Sequence, residues 1–355
     1  MARDSFRLVR SATWEGAAAP DGFVTDKLLG YYRDLSAGEI GAIISGFLYV
    51  CKQGKGMPFA AGIDDDDKIE GLTRMAQTAR QGGAKIIAQI VHAGGQSRKA
   101  VLPEGEVPVA PSAHKFVSID SDAREMTLGE IEAAITAFGD AALRAKLAGF
   151  DAVQLHGAHG YLISEFLSPR VNKREDEFGG SPEKRFNFVR RIIRAAREKI
   201  GSTPLGVKMN CGDFVEGGLS LEEALQIAKW YADEGLDFIE VSGGVLDAGK
   251  LAGSRKVESE ADEGYFFDAA KKIKALTALP VISVGGWKTP RLIESALAQG
   301  IDAVSLSRPL IREPHLAKRW KEGDLSPSTC VSCNGCRGVG LTGSGVYCAQ
   351  LRKQS

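Results

Sequence analysis

Three side chains that can hold or move a proton lie close together in Leu155-His156-Gly157-Ala158-His159-Gly160-Tyr161. Histidines three apart on a helical turn face one way, so both can donate to a single oxygen. A tyrosine two residues later can reach a neighbouring atom as a proton donor. This set suits polarising a carbonyl and protonating beside it. It also suits two loop histidines or part of a zinc site, although two ligands do not make a zinc site. A second constellation is Cys330-x2-Cys333-x2-Cys336-x11-Cys348. Four soft ligands at this spacing suit a [4Fe–4S] cluster or zinc, and free thiols are the plain alternative. Gly338-Val-Gly340-Leu-Thr-Gly343 formally matches GxGxxG. No strand precedes it and too few residues follow for a βαβ unit, so it reads as a flexible loop between Cys336 and Cys348. Cys51 and Cys211 read as small buried hydrophobes or strand-end residues rather than nucleophiles.

The elements that must carry these groups alternate. Short apolar runs occur at Phe6–Thr13, Gly41–Val50, Lys85–Val91, Ala152–His156, Leu205–Asn210, Phe238–Ser242, Val281–Val284 and Ala303–Ser307. Amphipathic segments include Thr127–Ala148, Pro182–Ile200, Ser220–Gly235, Asp268–Leu276 and Thr289–Gly300. Thr127 with Glu130, Ser181 with Pro182, and Ser220 with Glu223 mark helix starts; Gly149, Gly235 and Gly300 mark ends. Such alternation predicts parallel strands with helical crossovers. Eight similar units, without a glycine-rich fingerprint after the first, favour an α/β (β/α)8 TIM barrel over an open doubly wound sheet. The barrel is assigned to residues 1–318 and a cysteine-rich extension to residues 319–355. Asp64–Asp67 reads as a solvated helix start, and Leu102–Asp122 as an insertion that forms a hairpin over the barrel mouth.

The chain has 355 residues, with 45 Lys+Arg against 45 Asp+Glu. A neutral chain has no global field for nucleic acid or an anionic membrane. No apolar run reaches a membrane span, and Met1–Arg10 lacks a signal-peptide core. Four of six cysteines crowd into one stretch, unlike a secreted disulfide scaffold. The expected location is cytoplasmic. Glycine, at 42 residues, exceeds the roughly 25 of an average chain, which points to tight turns or close backbone approach to a ligand.

Barrel active sites lie at the C-terminal strand ends. Here those ends carry Thr13, Gln89, His92, His156, Lys208, Asn210, Ser242, Gly285–Gly286 and Ser307–Arg308. The stretch from His156 to Phe186 resembles the signature of the old yellow enzyme family of flavin oxidoreductases. Arg10-Ser11-Ala12-Thr13, Gln89-Ile90-Val91-His92-Ala93-Gly94, Val284-Gly285-Gly286 and Ser307-Arg308-Pro309 extend the resemblance. The cysteine spacing is similar to the branch containing 2,4-dienoyl-CoA reductase and trimethylamine dehydrogenase. The resemblance implies FMN at the barrel mouth, with NAD(P)H as reductant. It implies Ala12, Thr13, Gln89, Lys208, Gly285, Gly286, Ser307 and Arg308 as cofactor-binding residues. The phosphate falls to Gly285, Gly286, Ser307 and Arg308, Gln89 faces the flavin pyrimidine, and Lys208 is a cation near its N1–O2 edge. His156 and His159 would hold a substrate oxygen and Tyr161 would protonate.

That implies hydride transfer to an activated, α,β-unsaturated carbonyl alkene. Rivals are amine oxidation as in the same branch, an electron-transfer module built on the four-cysteine tail, and a flavin-free barrel lyase. Expected partners are a small-molecule substrate, an electron-transfer protein if a cluster is held, and a second copy in a homo-oligomer. Ser5, Glu15 and Phe47 depart from the family pattern where the pocket would be lined or supported.

Overall fold

A computed structural model describes residues 7–352; Ser5 and the first residue of the Phe6–Thr13 run lie outside the described residues. Eight parallel strands close on themselves. They are β1 (Leu8–Arg10), β2 (Ala42–Ile44), β3 (Lys85–Val91), β4 (Ala152–Gly157), β5 (Leu205–Asn210), β6 (Phe238–Ser242), β7 (Val281–Ser283) and β8 (Ala303–Leu306). Each pairs with the next, and β8 pairs back to β1 through Leu8–Val304, Val9–Ser305 and Arg10–Leu306. Between them run α1 (Asp26–Ala37), α2 (Ile69–Arg80), α3 (Leu128–Leu147), α4 (Pro182–Ile200), α5 (Leu221–Asp233), α6 (Phe267–Leu276) and α7 (Pro290–Ala298). The (β/α)8 expectation holds.

The capping signals do what their chemistry allows. Thr127 and Ser220 each accept from the backbone N–H three residues on, and Glu130 and Glu223 reach back to the cap, so orphan amide groups at both helix starts are satisfied. Ser181 caps α4 with Pro182 in its first turn. The Gly41–Val50 run breaks after Ile44 and resumes only at Leu48–Tyr49. The cause is Gly46, whose N–H donates to the Glu15 carboxylate at 3.2 Å. A Cβ there would collide with that same carboxylate.

Two apolar layers flank the strands. The large core lies between strands and helices, with Phe138, Phe186, Phe188, Val207 and Val304 buried in it. A small cluster of Val9, Ala42, Ile44, Ile87, Ala152, Ile282 and Ala303 fills the barrel interior. The inward layer nearer the C-terminal ends is polar instead: Gln89, Gln154, Lys208 and Glu240 are all buried there. The Leu102–Asp122 insertion does form a hairpin, His114–Phe116 pairing antiparallel with Ser121–Glu125. Phe116 packs at Gly95, beside the third strand's end. Asp64 departs from the solvated reading, because it forms a buried ion pair with Lys68. Lys68 also donates to the Tyr49 hydroxyl. Asp65 caps the turn that follows, as a helix start should. Among the described residues no helix is long and apolar enough to cross a membrane.

Candidate active site

The β4 end brings His156, His159 and Tyr161 together. The His156 ring lies 5.3 Å from that of His159 and 4.7 Å from that of Tyr161, edge to face in both cases. The route differs from the helical turn expected. His156 belongs to the strand, and the next helix starts only at Leu162. His159 takes a left-handed φ of 62°, which folds the loop back and returns its ring to His156. Such backbone costs about 1 kcal/mol or more outside glycine, and hydrogen bonds hold it. Asn210 Oδ1 accepts from the His159 N–H at 3.0 Å, and Gln96 Nε2 donates to the His159 carbonyl at 2.7 Å. Ser242 Oγ meets His159 Nε2 at 2.7 Å.

Electrostatics keep these groups neutral. Burial, with Lys208 and Arg337 nearby, pushes His159 down to about 3. Burial, His159 and Lys208 push His156 well below the ordinary histidine value. Each imidazole therefore carries a single N–H, and His159 has it to offer from Nδ1 when the Ser242 hydroxyl donates to Nε2. Burial raises the Tyr161 phenol to about 12, against the pull of Arg337 and Arg98, so it holds its proton. Phe47 stands against Tyr161 with ring centroids 5.8 Å apart, so this departure lies beside the candidate proton donor. Glu15 is buried on Arg10 at 2.9 Å and accepts from Tyr32, a structural node beside the end of strand two.

Strand register assembles the polar layer beneath. Gln89 lies opposite Gln154, His156 opposite Lys208, and Lys208 opposite Glu240. Gln89 Nε2 donates to Gln154 Oε1 at 2.6 Å, and Gln154 Nε2 to Glu240 Oε2 at 3.1 Å. Ser11 and Ser305 both donate to Glu240 Oε1 at 2.7 Å. Lys208 Nζ sits 3.3 Å from Glu240 and donates to Ser11 at 2.8 Å. Burial alone would raise the Glu240 carboxyl; Lys208 and these donors outweigh it and hold it below its usual value. Lys208 is thus at the mouth as expected, but paired. Glu240 and Gln154 escaped the sequence reading, although a charged residue inside Phe238–Ser242 and an amide inside Ala152–Gly157 were available signals.

Thr13 Oγ1 and Ser307 Oγ meet at 2.8 Å, joining the ends of β1 and β8. Ala12 packs onto the interior cluster just below. Gly286, Ser307 and Arg308 line one cavity with Ser254, Lys288 and the tail residue Ser332. Gly285 lies directly before it in the turn after β7. These residues fit a flavin mononucleotide. Gln89 Oε1 is buried without a partner, an acceptor suited to a ring N–H, and Arg308 lines a cavity with Lys288 and Gly286, a cationic lining suited to an anion.

The four tail cysteines line a common cavity with Arg308 and Arg312. Burial and the Cys330 and Cys333 thiols push Cys336 upward. Among the described residues no three His, Cys, Asp or Glu side chains are arranged around one metal ion. The glycine-rich loop is not free, in contrast to its reading as flexible. Gly340 packs on Gly16 and Trp14, Val346 N–H donates to the Glu15 carbonyl at 2.7 Å, and Tyr31 donates to the Val346 carbonyl at 2.8 Å. Burial pushes Cys51 and Cys211 up to about 11, which fits inert thiols.

The model of the NADH:flavin oxidoreductase / NADH oxidase family matches residues 5–325. The chain belongs to that family. Within it, the chain is 39% identical to an NADH oxidase of Thermoanaerobacter brockii over 96% of this chain and 52% of that protein. It is 36% identical to an NADPH dehydrogenase of Geobacillus thermodenitrificans over 80% of each. A 2-naphthoyl-CoA reductase in complex with 2-naphthoyl-CoA superposes with a TM-score of 0.85 at 30% identity, over 93% of this chain and 52% of that one. An old yellow enzyme homologue from Zymomonas mobilis superposes at 0.77 with 26% identity, over 92% and 91%. The chain thus spans about half the length of the NADH oxidase and of the naphthoyl-CoA reductase. The cofactor class of that family is a flavin.

Proposed function

We propose that the protein is an FMN-dependent NAD(P)H oxidoreductase that reduces an activated, α,β-unsaturated carbonyl alkene. The observation that carries the reading is the meeting of two neutral imidazoles with a protonated phenol above a polar barrel layer. Bound FMN would supply the hydride chemistry, taking two electrons from NAD(P)H and passing them on. The protein's own share is positional. Gly285, Gly286, Ser307 and Arg308 hold the phosphate, while Ala12, Thr13, Gln89 and Lys208 border the ring system. Lys208 keeps a positive charge beside the pyrimidine edge, with Glu240 fixing its position. His156 and His159 donate to the substrate carbonyl oxygen and stabilise the charge that gathers there. Tyr161 gives its proton to the adjacent carbon.

The tail at 319–355 carries a second proposed cofactor. What supports it is the Cys-x2-Cys-x2-Cys-x11-Cys spacing, which suits a [4Fe–4S] cluster with zinc the alternative, and the shared cavity that the four cysteines line. A cluster would pass single electrons to or from a separate carrier protein. The rival, amine oxidation, draws on a histamine dehydrogenase of Rhizobium sp. 4-9 that superposes with a TM-score of 0.84 at 27% identity, over 97% of this chain and 50% of that one. Anaerobic purification with an absorption spectrum and iron analysis tests both cofactors. Mixing the NAD(P)H-reduced protein with a cyclic enone then tests the reaction. Flavin reoxidation under anaerobiosis supports alkene reduction. Reduction of the flavin by a primary amine, with no response to enones, overturns it.

A further inference from the structure

The cavity around Arg308 is walled partly by the cysteine tail. Ser254 comes from the loop after β6, Gly286 from the turn after β7, Arg308 from the end of β8, and Ser332 from the tail. Arg308 Nη1 donates to Asn334 Oδ1 at 2.9 Å and to the Ser332 carbonyl at 3.4 Å. Asn334 Nδ2 donates in turn to the Ser254 carbonyl at 3.0 Å. One amide side chain therefore ties the guanidinium to the loop on the far wall. Ser332 and Asn334 flank Cys333, and both hold left-handed backbone, with φ of 52° and 59°. Residues other than glycine rarely enter that region without compensating contacts. Here the conformation aims one carbonyl and one side-chain oxygen at the same arginine nitrogen.

We propose that Asn334 is a positioning residue for the FMN phosphate, and that the folded tail raises FMN affinity by fixing the Arg308 guanidinium. The proposal rests on the reading that the phosphate lies at Gly286 and Arg308. Arginine carries large rotamer entropy, and ordering it in advance removes that cost from binding. Both tail bonds fall on Nη1, so the tail orients the planar fork through one edge. Linkage makes the coupling reciprocal: whatever orders the tail tightens FMN, and FMN favours the ordered tail by the same factor. Metal or cluster assembly on Cys330, Cys333, Cys336 and Cys348 would act through this route without touching the flavin.

The test is titration of the deflavinated protein with FMN and with riboflavin, which lacks the phosphate, followed by flavin fluorescence. Asn334→Gly removes both side-chain bonds and keeps the left-handed backbone. It is expected to weaken FMN about tenfold, the effect of one charge-assisted hydrogen bond, and to leave riboflavin unchanged. Arg308→Met is expected to weaken FMN about a hundredfold with riboflavin again unchanged. Unaltered FMN affinity in Arg308→Met overturns the phosphate reading itself. A loss in Arg308→Met without one in Asn334→Gly keeps that reading and overturns the role of the tail. Equal weakening of both flavins by Asn334→Gly also overturns it, because the effect is then not directed at the phosphate.

Discussion

The histidine pair is neutral because burial refuses each ring a second proton. His159, held at about 3, and His156, held well below its usual value, are uncharged near neutral pH. Binding of a phenol that mimics the enolate should therefore show no histidine titration step between about pH 5 and 8, in flavin-monitored titrations. Tyr161→Phe should slow reoxidation of the reduced protein by an enone by about a hundredfold or more. Phenol affinity should change little, since the donors to the oxygen remain. An unchanged reoxidation rate would remove Tyr161 from the proton transfer. The residues, though not their geometry, were legible in the sequence. His-Gly-Ala-His-Gly-Tyr reveals proton chemistry, but the left-handed turn at His159 that turns the rings together comes from Asn210 and Gln96, distant in the chain.

The strand ends supply a layer of partnered charge at the scale of single elements. β5 contributes Lys208 and β6 contributes Glu240, which is completely buried. Removing one partner leaves the other uncompensated in a low-dielectric interior. Lys208→Met should lower unfolding stability by about 3–5 kcal/mol in denaturant titrations. The double variant Lys208→Met with Glu240→Gln should regain part of that loss. Full stability in the single variant would show that the pair is not doing this. Alternation and length predicted all eight strands, yet strand two splits at Gly46 because Glu15, from the preceding loop, occupies the space a side chain would need. The four-aspartate run looked solvated for a related reason. The partner that buries Asp64 is Lys68, and what buries Lys68 is Tyr49 on another segment.

Acid response belongs to the whole molecule. His92 is held down at about 4 and His159 at about 3 by burial, below the ordinary 6.5. The unfolded chain takes up those protons as pH falls through about 6.5, whereas the folded state refuses them until near 4 and below. The histidine share of stability therefore decreases as pH drops from about 6.5 toward 4, while the Glu165 and Asp213 carboxyls, raised by burial, act in the opposite direction. Thermal unfolding of His92→Gln beside the parent isolates that share: the melting temperature should fall less steeply in the variant, and identical slopes would contradict the buried-neutral assignment of His92.

Period, capping residues and strand-end chemistry determined the barrel, the β4-end proton chemistry and the thiolate spacing, because these are local properties of the chain. Tertiary structure alone decided what each polar group faces. Barrel closure set Lys208 against Glu240 and left Gln89 Oε1 without a protein partner. Docking of the tail set Gly340 against Gly16 and Trp14, and placed Ser332 in the wall of the cavity at Arg308. Sequence spacing carries no information on contacts between positions three hundred residues apart, and burial energy is settled by those contacts.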